Sequence, residues 1–510
     1  MKIKKIVVES ELISGFTALF LGVIVHLFML VNPLHNYDDI ASLPSGYGTG
    51  VSSGRWLLGA IGNIASSLGL NYNLPVLNGL AFLALMAVAA AMLTRILGIR
   101  RKLSAILLGG LVAVFPASCS MLFFRFTAVY YAVSILLSIA AVYTADSMKH
   151  GPYWSVIFVV LSLGIYQANI PFTIGLFVLL LLRRSLEGKS AWFEIVKAGL
   201  KYCGILAVGY VVYYFISKGA VAFVGSALSD YRGIENMGRI DLMQLPMTIL
   251  RAVKNACKLP FRDYCGLAYR KVIQLAYLLL AVSTIPMIVW ILLGSNRKAG
   301  NTILSCLLLC VFPLAVNFIE VMVPDGGIYT LMLYPMVLLP CLPLMLLELL
   351  PQARIGEYFR YSITTTVAAL VLLYGYFANV NYLALYFVNR QVENYVSSIV
   401  VQVRMTEGYR SDMEWALLGE IDDLLLDGPW DEEAVYGGIG GPEYLLNQYS
   451  LDHWFQHYVG YDIPFADKER IQTISKMDEI SSMPCWPDYG SIRIIDNTVI
   501  IKGANIPHNG

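Results

Sequence analysis

Apolar runs of about 20 residues recur from about residue 11 to about residue 381. A helix of that length crosses the hydrocarbon core of a bilayer. In lipid, a crossing segment must satisfy its own backbone polar groups, which a helix does. The pattern therefore predicts an α-helical polytopic membrane protein. Composition agrees: 14% of residues are charged and 57% hydrophobic, whereas soluble proteins are about 25% charged. A soluble enzyme, a disordered chain and a nucleic-acid binder are excluded.

The net charge of +1 is a cancellation. Residues 1–382 carry 28 Lys and Arg against 15 Asp and Glu, and residues 383–510 carry 8 against 20. The last 128 residues hold no spanning run. Two domains are expected: a transmembrane domain, 1–382, and a C-terminal domain, 383–510, long enough to fold by itself.

About eleven spans are expected, near 11–32, 74–94, 103–118, 127–145, 153–168, 170–182, 196–217, 272–293, 301–320, 328–349 and 362–381. The first follows a basic start and reads as a retained signal anchor. Cytoplasmic loops are rich in Lys and Arg. With the N-terminus inside, the inner loops hold Arg95, Arg100, Arg101 and Lys102; Lys149; Arg183, Arg184 and Lys189; Arg297 and Lys298; and Arg354 and Arg360. Eleven spans then place the acidic tail on the outer side of the membrane. Residues 153–182 are too long for one span, at roughly 45 Å by the helical rise, and both ends are basic. A hairpin broken at Gln167-Ala168-Asn169-Ile170-Pro171 accounts for both, with Asn as cap and Pro in the first turn.

The outer loops are where chemistry is expected. The first begins Asn32-Pro33-Leu34-His35-Asn36-Tyr37-Asp38-Asp39 and continues to Gly54-Arg55-Trp56-Leu57. Adjacent carboxylates repel, which separates their protonation states. The pair suits a general base with an orienting partner, a metal site, or a helix cap. The other acids of that face are Asp230, Glu235, Asp241, Asp263, Glu320 and Asp325, the last in a turn-forming Pro-Asp-Gly-Gly. The loop at about 218–271 carries nine cations against four acids. Within it Arg251, Lys254 and Lys258 share one helix face, with Leu250, Val253 and Cys257 on another, which describes an interfacial helix with its basic face toward headgroups. Arg262 and Arg270 flank Asp263-Tyr264-Cys265-Gly266, and Arg125 sits among aromatics in Phe123-Phe124-Arg125-Phe126-Thr127. Arg favours phosphate; attraction to anionic lipid or snorkelling explains the same residues.

In the tail, 383–405 continues the last span as an amphipathic helix, Asp412 to Leu426 reads as a helix, and Ser491 to Lys502 as a hairpin around Asp496-Asn497. A small α/β domain follows. Trp430, Trp454 and Trp486 are candidates for stacking on sugars or for the core. His453 and His457 have metal-ligand spacing without a clear third ligand. The eight Cys form no CxxC, and no P-loop is present. With no sizeable cytoplasmic domain, an activated donor is expected on the outer face, where sugars travel on polyprenyl phosphates.

A signal-anchor first span, an acidic pair in the first outer loop, about eleven spans and an outer C-terminal domain together resemble C-type glycosyltransferases. Asn-Tyr-Asp-Asp at 36–39, Gly-Arg-Trp-Leu at 54–57, Phe-Phe-Arg-Phe-Thr at 123–127 and Ser-Leu-Gly-Ile-Tyr-Gln-Ala at 162–168 resemble the type II O-antigen glucosyltransferase family of bacteria and phages. The resemblance covers roughly residues 10–350; the tail resembles no family. It implies transfer of glucose from undecaprenyl phosphate to a cell-surface polysaccharide, with inversion. It also implies an acid of the first outer loop as base: Asp38, with Asp39 orienting it, or the reverse. Arg125, Arg262, Arg270 and Arg55 are then expected at the donor phosphate, and Tyr37, Tyr166, Gln167 and Glu320 along the substrate cavity. No cofactor is required, although the acidic pair leaves a divalent metal open. The implied partners are the lipid-linked donor, the polysaccharide acceptor and the bilayer, with a flippase and a polyprenyl-phosphate glucosyltransferase acting upstream. A transporter or flippase, a polysaccharide polymerase or ligase, and a non-catalytic sensor are the competing readings. A transporter would show repeated halves, and only one broken span is visible.

Overall fold

The computed structural model describes residues 2–225, 243–294, 298–323, 327–419, 445, 450–460 and 463–503, with side chains from residue 8. Asp230, Glu235, Asp241, Asp325 and Trp430, and the expected helix beyond Gly419, lie outside the described residues. The chain divides into two compact units. One comprises Met1–Val31, Ser45–Asn379 and Gly437–Gly441; the other comprises Asn32–Pro44, Val380–Tyr436 and Pro442–Gly510.

The first unit is a bundle of apolar helices. In chain order these are α1 (Lys2–Val31), α2 (Tyr37–Ala41, which belongs to the second unit), α3 (Trp56–Ser67), α4 (Pro75–Leu97), α5 (Lys102–Val114), α6 (Pro116–Phe123), α7 (Arg125–Ser147), α8 (Gly151–Ile165), α9 (Ile170–Glu187), α10 (Trp192–Val224), α11 (Leu245–Cys257), α12 (Lys271–Leu293), α13 (Ala299–Val316), α14 (Ile319–Met322), α15 (Leu338–Leu347) and α16 (Arg354–Met405). Among the described residues, ten helical stretches are long and apolar enough to cross a membrane. The eleventh apolar helix, α8, has only 15 residues, about 22 Å by the helical rise. The expected span at 153–168 is thus a short helix that stops at Ile165.

Faces of these helices show why they need lipid. α1 exposes Leu12, Phe16, Phe20, Ile24 and Leu27 along one side. Its other side meets α4 and α5 through small residues: a Cβ on Gly22 would strike Leu83, and one on Gly109 would strike the Ser14 carbonyl. Close approach through small residues is how helices associate where lipid removes the hydrophobic drive. Ser134, Ser138 and Ser162 exchange hydrogen bonds of 2.9–3.1 Å between α7 and α8. Arg184 and Tyr202 both donate to Asp146, which ties α7, α9 and α10 together.

The break between α8 and α9 falls where the sequence predicts it, but Asn169 does not cap α9. Its Nδ2 donates to Ser134 Oγ at 2.9 Å instead. Pro171 does stand in the first turn of α9.

α16 belongs to the first unit up to Asn379 and to the second from Val380, and it runs unbroken to Met405, as the amphipathic continuation predicts. A three-stranded sheet follows, in the order β1-β3-β2: β1 (Glu414–Leu418), β2 (Ile492–Ile495) and β3 (Thr498–Lys502). β1 runs parallel to β3, and β2 is antiparallel to it. Asp496 and Asn497 turn the β2–β3 hairpin with φ of 48° and 62°, which Asp and Asn tolerate. The helix expected from Asp412 is corrected: Trp415 to Leu418 are buried on both faces of a strand. A short apolar run does not distinguish a buried strand from a helix. The core gathers Ala416, Leu418, Ile474, Ile480, Met483 and Ile500. Lys502 is buried because its Nζ donates to the carbonyls of Ile480 at 2.8 Å and Met483 at 2.7 Å, serving orphan acceptors at a helix end.

Candidate active site

The acidic pair sits on α2, in the second unit. Asn36 makes that helix begin where it does: its Oδ1 accepts the backbone N–H of Asp38 at 3.1 Å and of Asp39 at 2.7 Å. This is a side-chain N-cap. Consecutive helical residues diverge by about 100°, so the two carboxylates do not share a setting. Asp39 is 0% exposed, and its Oδ2 lies 2.6 Å from His35 Nδ1, one turn back. Asp38 is half-buried, and Tyr37 is buried.

His35 is itself fixed on several sides. Its N–H donates to Asn389 Oδ1 at 2.9 Å, and Asn389 Nδ2 donates to the His35 carbonyl at 3.0 Å. Its ring meets Trp454 edge-on at 6.3 Å and Tyr458 at 5.9 Å. Tyr458 Oη donates to the Pro33 carbonyl at 3.3 Å. Beside the acidic pair, His35 and Asn389 are contacts that the motifs alone do not point to. The i, i+4 spacing of His35 and Asp39 carried the signal for the first; nothing local could reveal the second.

Within the membrane unit, three of the singled-out motifs converge. Gly54 adopts φ +70°, and a Cβ there would lie 2.7 Å from Tyr213 Oη and 2.9 Å from Gln167 Nε2. Gln167 Nε2 donates to the Ser53 carbonyl at 2.8 Å and to Tyr213 Oη at 2.9 Å, and Tyr213 Oη donates to the Gly54 carbonyl at 3.1 Å. Trp56 lies on Gly164, where a Cβ would collide with the indole. The Arg55 guanidinium stands 5.0 Å from the centre of the Tyr166 ring, which packs at 4.4 Å on Tyr131 of α7. Among the described residues, Tyr166 Oη, Arg55 Nε and Trp56 Nε1 are buried without a hydrogen-bond partner. The third motif reaches the same loop at Gly48 (φ +87°), 3.1–3.2 Å from Thr127 and Phe126 by its virtual Cβ. Arg125 is 0% exposed, so it does not snorkel.

Glu320 belongs to another cluster. It is 3% exposed and accepts from Tyr264 Oη at 2.7 Å, Arg251 Nε at 3.0 Å, Asn317 Nδ2 at 3.2 Å, and Asn255. α11 buries Thr248, Ala252 and Ala256 and leaves Leu250 exposed, and of the cations on its basic face Arg251 turns to Glu320. A buried carboxylate demands partners, which outweighs the attraction of a surface charge. Nearby, Asp263 accepts from the N–H groups of Gly266 and Ala268, and Cys265 holds φ 49°. Burial, then Asp263 and Glu320, push the Cys265 thiol up to about 12. Arg262 is exposed; Arg270 is half-buried over the rings of Tyr269 and Phe377.

Of the tail residues, Trp454 is 0% exposed, and Trp486 Nε1 donates to Gln402 at 3.0 Å. His453 and His457 stack with ring centres 6.3 Å apart. Among the described residues, no cluster of three potential metal ligands exists.

A family model described as "Glucosyl transferase GtrII" matches residues 27–340. That range takes in the acidic pair and the motifs around Gln167. No curated protein and no solved structure matches the chain.

Proposed function

The chain belongs to the GtrII glucosyl transferase family, and on that premise we propose that it moves glucose from undecaprenyl phosphate to a cell-surface polysaccharide, such as O-antigen, on the outer face of the membrane. A lipid-carried donor suits a protein whose matched region is mostly apolar helix. The acceptor hydroxyl attacks the anomeric carbon as the Asp38 carboxylate takes its proton. The new C–O bond forms as the bond to the lipid phosphate breaks, so the configuration inverts and polyprenyl phosphate leaves. Phosphate is a good leaving group, and fixed positive charge stabilises it further. Arg125, Arg262, Arg270 and Arg55 are the candidates for that charge. Tyr37, Tyr166 and Gln167 are proposed at the substrate, and Glu320 as the group that holds α11 beside it.

The observation that supports Asp38 as the base is the unequal setting of the pair. Asp39 is buried on His35, whereas Asp38 is half-buried. A base has to reach the proton it removes; a carboxylate already committed to a buried imidazole serves better as an orienting group. Asp38→Asn should lower transfer from undecaprenyl-phosphate glucose by about 10²–10⁴-fold, the usual contribution of a general base. Asp39→Asn should lower it less. Full activity in both variants would remove the acidic pair from the mechanism.

A further inference from the structure

The tail from Val380 onward lies outside the matched region, yet two of its segments hold the acidic loop. Asn389, on α16, makes two hydrogen bonds to the backbone of His35, at 2.9 and 3.0 Å. An amide that both donates to and accepts from one residue fixes that peptide in position and orientation. The helix Leu451–Trp454 and the turn after it supply the second hold. Trp454 and Tyr458 pack on each other at 4.8 Å and present their edges and faces to the His35 ring. His35 Nδ1 then meets Asp39, and Asn36 draws the N–H groups of Asp38 and Asp39 into the cap.

We infer that the C-terminal unit is a positioning device for the reaction: Asn389, Trp454 and Tyr458 hold His35, and through His35 and Asp39 they set the direction of Asp38. This rests on the reading of Asp38 as the base. The chain of contacts is continuous, and each of its links except the half-buried Asp38 and Tyr458 is almost wholly buried. α2 has five residues, too few to be stable without outside support. Misplacing a reacting group by about 1 Å can cost about 100-fold in rate, so a loop this short needs such a brace.

The test is transfer of labelled glucose from undecaprenyl-phosphate glucose to the cells' own surface polysaccharide, in membranes carrying the full chain. Asn389→Ala should lower kcat by about 10- to 100-fold while leaving the donor KM within about twofold. Trp454→Phe, which keeps a ring, should lower it less than Trp454→Ala. His35→Asn, which keeps an N–H where Nδ1 stands, should recover most of the activity lost in His35→Ala. Wild-type kcat in an Asn389→Ala protein that accumulates normally would overturn the inference, as would a loss confined to KM. If His35→Ala does not accumulate, the Asn389→Ala and Trp454→Phe proteins still decide. Asp38→Asn is measured alongside: full activity there overturns the base assignment itself, whereas an inactive Asp38→Asn beside an undisturbed Asn389→Ala overturns only the positioning role.

Discussion

At the scale of single residues, Gly54 and Cys265 are where the chemistry of one position decides most. Gly54 needs both a left-handed backbone and an absent Cβ, because Tyr213 and Gln167 occupy the space a side chain would take. Gly54→Ala should therefore destabilise the membrane unit by about 1–3 kcal/mol, visible as a lower melting temperature in detergent and weaker transfer. Cys265 is the opposite case, a reactive atom made inert. With its thiol pushed up to about 12, it holds about a thousandfold less thiolate at pH 8 than a free cysteine. In a variant that retains only this cysteine, maleimide should label it after denaturation in SDS and hardly at all before. Much of the candidate site was legible residue by residue. Two adjacent aspartates after a span are conspicuous, and Arg55 and Gln167 stood in motifs singled out early. Tyr213 and Asn389 were not, since neither has a distinctive neighbour and their partners are 46 residues or more away in the chain.

Elements show a different balance. Spans were legible because 20 apolar residues have few alternatives in water or lipid. The break before α9 was legible from its Asn and Pro, although Asn169 turned out to serve Ser134. β1 was misread because a strand buried on both faces loses the alternation that would reveal it. On the basic face of α11, the pairing of Arg251 with Glu320 was not legible, because charge spacing says nothing about a buried acid on another element. Glu320 gathers Tyr264, Arg251, Asn255 and Asn317, and so docks α11 and the turn after it. Glu320→Ala should cost about 1–3 kcal/mol for the buried donors it strands. Arg251 adds little, being half exposed and partly screened. Proteolysis of residues 245–270 in membranes should accelerate, and Glu320→Gln, which keeps one acceptor for Tyr264, should fall between.

For the whole molecule, charge and pH act on the C-terminal unit. Burial, then His453 and His35, hold His457 below the usual histidine value. The folded unit therefore favours the neutral ring, and the unfolded chain binds the proton more readily. Stability from this group is present above about pH 6.5, the ordinary histidine value, and is lost as pH falls through the lowered one. Protection of the amides at residues 450–460, measured against the intrinsic exchange rate at each pH, should fall between about pH 7 and pH 5, and His457→Gln should flatten that dependence. The two-unit organisation has a further consequence, in time. His35 and Asn389 are 354 residues apart. At ~5–20 residues per second of synthesis, the acidic loop waits roughly 20–70 s for the residue that clamps it. Every matched motif is made before then, so a chain stopped after residue 379 should insert and still transfer no glucose. Activity would begin only after Asn389, Trp454 and Tyr458 have joined the loop that holds His35.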